Sequence, residues 1–140
     1  MSTATTHLRR IEVGWGDCDP AGIVFYPNFY RWFDACSHAL LIARGIDHRD
    51  LHARFGIIGC GLIDTGARFT APARYDDVLE ATSHIAKLTS RTFTVEHVLR
   101  RGETQICTGH EVRGCFAEDA ATPGAIKAIP LPDELRKALS

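Results

Sequence analysis

The sequence has no basic run, no CxxC pair and no apolar stretch long enough to cross a bilayer. Lys and Arg number 16 against 17 Asp and Glu, giving a net charge of −1 at pH 7. Phosphate binding leaves a basic footprint, so this balance argues against nucleic acid as the main partner. The longest helical apolar run, Ala39 to Ala43, falls far short of the ~20 residues a membrane helix needs, so no membrane partner is expected. The opening segment MSTATTHLRR lacks the apolar core of a signal peptide. The cysteines, Cys18, Cys36, Cys60, Cys107 and Cys115, are odd in number and form no metal-ligand spacing. Reduced thiols in a cytoplasmic protein are the expectation. GIIGCG at 56–61 matches neither the dinucleotide nor the P-loop glycine pattern and reads as a turn leading into a strand. Repeats, linkers and low-complexity segments are also missing, so residues 1–140 are expected to form a single domain.

What is present is one helical stretch among strands. HLRRIEV, residues 7–13, alternates weakly and reads as a first strand. Phe29, Trp32, Phe33, Cys36, Leu40 and Ala43 then recur at helical spacing. The spacing predicts a helix from about Pro27 to Arg44, with Pro27 in its first turn, Asn28 as an alternative cap and Gly45 as its stop. GLIDTGARFTA, DVLEATSHIAKL, RTFTVEHVLR and TQICTGHEVRGCFA read as four further strands joined by short links. PDELRKALS is amphipathic and reads as a terminal helical turn. The order implies an α+β fold: one long helix of bulky apolar residues, wrapped by a curved antiparallel sheet.

The chemistry concentrates in GDCDPAGIVFYPNFYRWFDA, residues 16–35. Asp17 and Asp19 flank Cys18 just before the helix. Two adjacent carboxylates raise a thiol pKa, which argues against Cys18 as a nucleophile. The calcium-loop pattern lacks its third ligand, mid-loop glycine and late glutamate. The DxD loop of aspartyl-phosphate phosphatases needs a larger doubly wound domain than these strands supply. Two readings stay open. One aspartate acts on a substrate held at the helix start, where free N–H groups and partial positive charge stabilise an oxyanion. Alternatively, both aspartates only satisfy turn N–H groups.

His48 and His52 have the i, i+4 spacing of a zinc pair, but no third ligand is near in sequence and the stretch is strongly charged, so no metal is expected. Arg31, Asp34 and His38 share the less apolar face of the helix. They read either as solvated pairs along that face or, for Asp34, as a residue facing a ligand pocket.

GDCDPAGIVFYPNFYRWFDA closely resembles the signature of the 4-hydroxybenzoyl-CoA thioesterase family, part of the hotdog-fold acyl-CoA thioesterases. The resemblance continues through ARFGIIGCGLI and APARYDDVLEA and so covers most of the chain. It implies hydrolysis of an acyl-CoA, most specifically an aryl-CoA, in a dimer or tetramer with interfacial active sites and without cofactor. By the same resemblance, Asp19 before the proline is the nucleophile or general base. The backbone N–H of Tyr26 polarises the thioester carbonyl, Asp34 partners a 4-hydroxyl, and Asp17 orders the loop. In one respect the sequence departs from the pattern. Where the family carries a basic run at the hairpin that meets the CoA phosphates, this sequence has Thr89-Ser90-Arg91 with Lys87 just before. Lys87 and Arg91 are then the CoA-binding candidates, and an acyl carrier protein stays open as the thiol carrier. The remaining alternatives are a broad short-chain thioesterase and a non-catalytic acyl-binding module.

Overall fold

The computed structural model describes residues 6–140; the expectation about the first residues, MSTAT, lies outside them. The elements are β1 (His7–Glu12), α1 (Pro27–Ala43), α2 (Leu51–Phe55), β2 (Gly59–Phe69), β3 (Val78–Leu88), β4 (Thr92–Arg101), β5 (Thr104–Glu118), β6 (Ile126–Ile129) and α3 (Asp133–Leu139). The strands form one antiparallel sheet in the order β1-β3-β4-β5-β2, with β6 pairing to β5. The architecture is α+β, as the element order predicts. Among the described residues no helix is long and apolar enough to cross a membrane.

Helix α1 has 17 residues and starts at Pro27, whose missing N–H costs nothing in a first turn. Asn28 does not cap it. Its side-chain amide instead donates 2.8 Å to the carbonyl of Asp17, tying the preceding loop to the helix. The chain leaves the helix through Gly45 at φ +80°, a backbone state that favours glycine. Phe29, Trp32, Phe33 and Cys36 from the first half of α1 pack with Ile11, Val24, Leu79, Leu99 and Ile106. Leu40 and Leu41 from the second half pack with Phe93, Val95, Leu131 and Leu135. Each fully buried side chain of this size contributes roughly 1.5–3 kcal/mol, so α1 is held by its apolar stripe rather than by its caps.

The four long strands fall within two residues of their expected ends, and α3 replaces the terminal turn. Strand β6 is missed because its four residues, mostly exposed, carry too short a pattern to signal. The expected pairing along α1 is corrected. Arg31 bonds Asp17, His38 bonds His48 and Asp34 bonds Arg113. Partners brought up by the fold outcompete the i, i+3 and i, i+4 neighbours, whose mutual attraction is only about 0.2–0.5 kcal/mol.

Candidate active site

The loop before α1 is a small hairpin. Cys18 and Val24 form an isolated bridge, and the N–H of Asp19 donates 2.9 Å to the carbonyl of Ile23. Its tip closes with Gly22 N–H donating 2.9 Å to the Asp19 carbonyl, and Gly22 holds φ +80° there. The two aspartates on this hairpin are used differently. Both carboxylate oxygens of Asp17 are occupied, Oδ2 by Gly14 N–H at 2.8 Å and Oδ1 by Arg31 at 2.8 Å. Its carbonyl also accepts from Phe25 N–H and Asn28. Asp17 is thus the brace of the loop. Asp19 accepts a single bond, from Ala21 N–H to Oδ1 at 2.8 Å, and its Oδ2 has no partner among the described residues.

Tyr26 precedes the first turn of α1, and among the described residues its N–H donates to nothing. A free N–H at a helix start carries the positive end of the helix dipole. It borders a groove of about 330 Å³ lined by Ile23, Phe29, Phe69 and Ala71. An apolar groove with an unengaged donor at its rim and a carboxylate with one unengaged oxygen in the adjoining loop has the parts needed to polarise and attack a carbonyl.

Asp34 lies two turns further along α1, on a second cavity of about 420 Å³ lined also by Ser37, His38, His48, Cys60 and Arg113. Its Oδ1 accepts 2.8 Å from Arg113. Beneath Arg113 is a buried polar chain that the sequence reading missed. Arg113 donates 2.6 Å to Glu111 Oε2, Glu111 Oε1 lies 3.0 Å from His97 Nε2 and also accepts from Ser37, and Ser83 lies 2.7 Å from His97 Nδ1. Burial opposes the charge on Glu111, but the bonds from His97 and Ser37 and the Arg113 charge outweigh it. They hold its carboxyl below the ordinary value. Ser83, His97 and Glu111 stand in the order of a nucleophilic triad. With exposures of 0%, 1% and 3%, no substrate can reach them, and the chain is structural.

His38 and His48 meet with their Nδ1 atoms 2.9 Å apart, so one ring carries the shared proton. Burial, then the neighbouring His38 and Arg113 charges, lower the pKa of His48. His48 therefore pairs across to α1 rather than with His52. Among the described residues, no cluster of three or more His, Cys, Asp or Glu is placed to hold a metal ion.

Lys87 and Arg91 sit at the β3–β4 hairpin, both exposed, with Arg91 donating 3.3 Å to the Ala128 carbonyl. The Asp19 hairpin is tied to the other end of β3 through Val13 and Asp77. Ten residue steps separate the ends of that strand (Val78 to Leu88), roughly 30 Å at the rise of a β-strand. One chain therefore does not bring Asp19, Asp34 and the Lys87/Arg91 hairpin to a single point.

The model of the thioesterase-like superfamily matches residues 13–139. The chain belongs to the thioesterase-like superfamily. This thioesterase is 38% identical over 138 residues to the 4-hydroxybenzoyl-CoA thioesterase of Pseudomonas sp. (strain CBS-3), covering 94% of each chain. Its fold overlays an aspartate-to-asparagine variant of a 4-hydroxybenzoyl-CoA thioesterase, solved with 4-hydroxybenzoyl-CoA bound, with a TM-score of 0.87 and 29% identity over 96% of this chain and 99% of that one. It overlays a gentisyl-coenzyme A thioesterase with a TM-score of 0.79 and 30% identity, over 95% and 98% of the two chains. These matches make the protein a thioester hydrolase and place its α+β fold among the hotdog thioesterases.

Proposed function

We propose that this thioesterase hydrolyses an aryl-CoA, such as 4-hydroxybenzoyl-CoA, to the free acid and CoA. The observation that carries the mechanism is that Asp19 Oδ2, in the loop before α1, and the Tyr26 N–H, at the start of α1, both lack partners among the described residues. The thioester carbonyl oxygen accepts from Tyr26 N–H, and the helix dipole stabilises the oxyanion as it forms. Asp19 either takes a proton from an attacking water, which gives the acid directly, or attacks the carbonyl carbon to form a mixed anhydride that a water then cleaves to the acid and the free Asp19 carboxylate. The CoA thiolate leaves in either case. Asp34 accepts a hydrogen bond from a para-hydroxyl on the ring. A bare ring leaves that carboxylate unpaired and is penalised. In this reading α1 is the central helix of a wrapped sheet. Lys87 and Arg91 contact the CoA phosphates from a second chain of a dimer or tetramer, because their hairpin is at the far end of β3 from Asp19.

A second reading takes the thiol carrier to be an acyl carrier protein. It is favoured by the thin charge at the hairpin, where Arg91 is already engaged with the Ala128 carbonyl. A hydrolysis panel of 4-hydroxybenzoyl-CoA, benzoyl-CoA, short aliphatic acyl-CoAs and an acyl-carrier thioester separates the two. The expected result is a preference for 4-hydroxybenzoyl-CoA over benzoyl-CoA of at least about tenfold in kcat/KM. Fastest turnover of an aliphatic or carrier-bound substrate overturns the aryl-CoA reading.

A further inference from the structure

Asp34 is exposed, with 72% of its side chain open to solvent, yet its partner is only 10% exposed. With one partner this solvated, the ion pair adds little to stability. What it supplies is direction. The Arg113 guanidinium is a planar fork whose Nη1 donates 3.0 Å to the Cys60 carbonyl and whose Nη2 donates to both Glu111 and Asp34. Glu111 is itself fixed by Ser37 and His97. Arg113 is therefore held from within the sheet by Cys60 and Glu111, and one of its donors is aimed outward at a carboxylate lining the 420 Å³ cavity. That contact leaves Asp34 Oδ2 without a partner among the described residues.

We propose that Arg113 is a specificity-setting positioning residue, anchored by Glu111 and holding the Asp34 carboxylate as a pre-aimed acceptor for a hydroxyl at the distal end of the acyl group. The proposal rests on the Asp34 reading given above and extends it to two residues that do not touch the reacting atoms. A carboxylate already oriented loses less side-chain freedom when the hydroxyl arrives, so the gain appears in affinity for the hydroxylated substrate. It also faces an anionic acyl tail with its own charge, which favours a neutral donor over a carboxylated ring.

The test is a double-mutant cycle on the ratio of kcat/KM for 4-hydroxybenzoyl-CoA to that for benzoyl-CoA. Removing Arg113 alone strands a buried carboxylate, so Arg113→Met is made together with Glu111→Gln, and thermal melts verify folding. Arg113→Lys, which keeps the charge but not the fork, is the second variant. The Glu111→Gln/Arg113→Met pair is expected to shrink the ratio by about threefold or more, mainly through KM of the hydroxylated substrate, with Arg113→Lys intermediate. In an Asp34→Ala background the same changes should leave the ratio where Asp34→Ala alone put it. An undiminished ratio without Arg113, or a further fall in the Asp34→Ala background, overturns the positioning role while the Asp34 reading stands. A wild-type ratio near one overturns both.

Discussion

Two aspartates one residue apart carry different duties because their hydrogen-bond partners differ. Asp17 spends both oxygens on the loop and α1, whereas Asp19 keeps one oxygen uncommitted. The same logic assigns Glu111 to the fold. Its carboxyl titrates below the ordinary value of 4.5 despite burial, because His97, Ser37 and Arg113 favour the charged form. A depressed folded value means the stabilisation is complete above the unfolded value. It is then lost as pH falls through the folded one. Glu111→Gln should therefore cost about 2 kcal/mol or more near neutral pH, with a gap to wild type that narrows below about pH 4.5. Urea melts at several pH values measure this. A gap that stays constant into acid would show that the Glu111 charge is not what the network stabilises.

Among the elements, α1 and β5 meet with no space between them at Gly109. A Cβ added at Gly109 would lie 2.4 Å from the ring of Phe33. That ring is fully buried and stacked on His97, so it has nowhere to move. Gly109→Ala should destabilise the protein by about 1–3 kcal/mol, read as a lower urea midpoint at unchanged m-value. An unchanged midpoint would show that α1 shifts freely over β5. The elements themselves were legible because α1 carries a continuous apolar stripe and the long strands are bounded by short turn-like links. The loop aspartates were legible from their motif. The buried network was not read, although its signal is present: Cys107, Gly109, Glu111, Arg113 and Cys115 alternate on one phase of β5, and His97 shares a phase with Phe93, Val95 and Leu99 in β4. Charged and polar residues in a core phase announce a buried network. Ser37, the partner of Glu111, and Asp34, the partner of Arg113, lie 74 and 79 residues away in sequence and become visible only when the sheet closes on α1.

At the scale of the whole molecule, the chain presents Trp15, Tyr75, Phe25 and Tyr26 at the surface around the Asp19 loop, and Leu62 and Ile63 on the edge strand β2. Exposed apolar residues grouped near the candidate site are what contact with another chain would cover. Together with the separation of Asp19 from the Lys87/Arg91 hairpin, they predict a dimer or larger species in sedimentation velocity. Replacing Lys87 and Arg91 together by Ala should raise KM for an acyl-CoA severalfold and leave kcat within about twofold. A fully active monomer would contradict a site built from two chains.

The most direct test of the central claim compares Asp19→Asn with Asp17→Asn in steady-state hydrolysis of 4-hydroxybenzoyl-CoA. Asp19→Asn is expected to lower kcat by at least about a hundredfold with KM nearly unchanged, because a group acting in the transition state is lost while substrate binding is kept. A mild Asp19→Asn beside a crippling Asp17→Asn would contradict it.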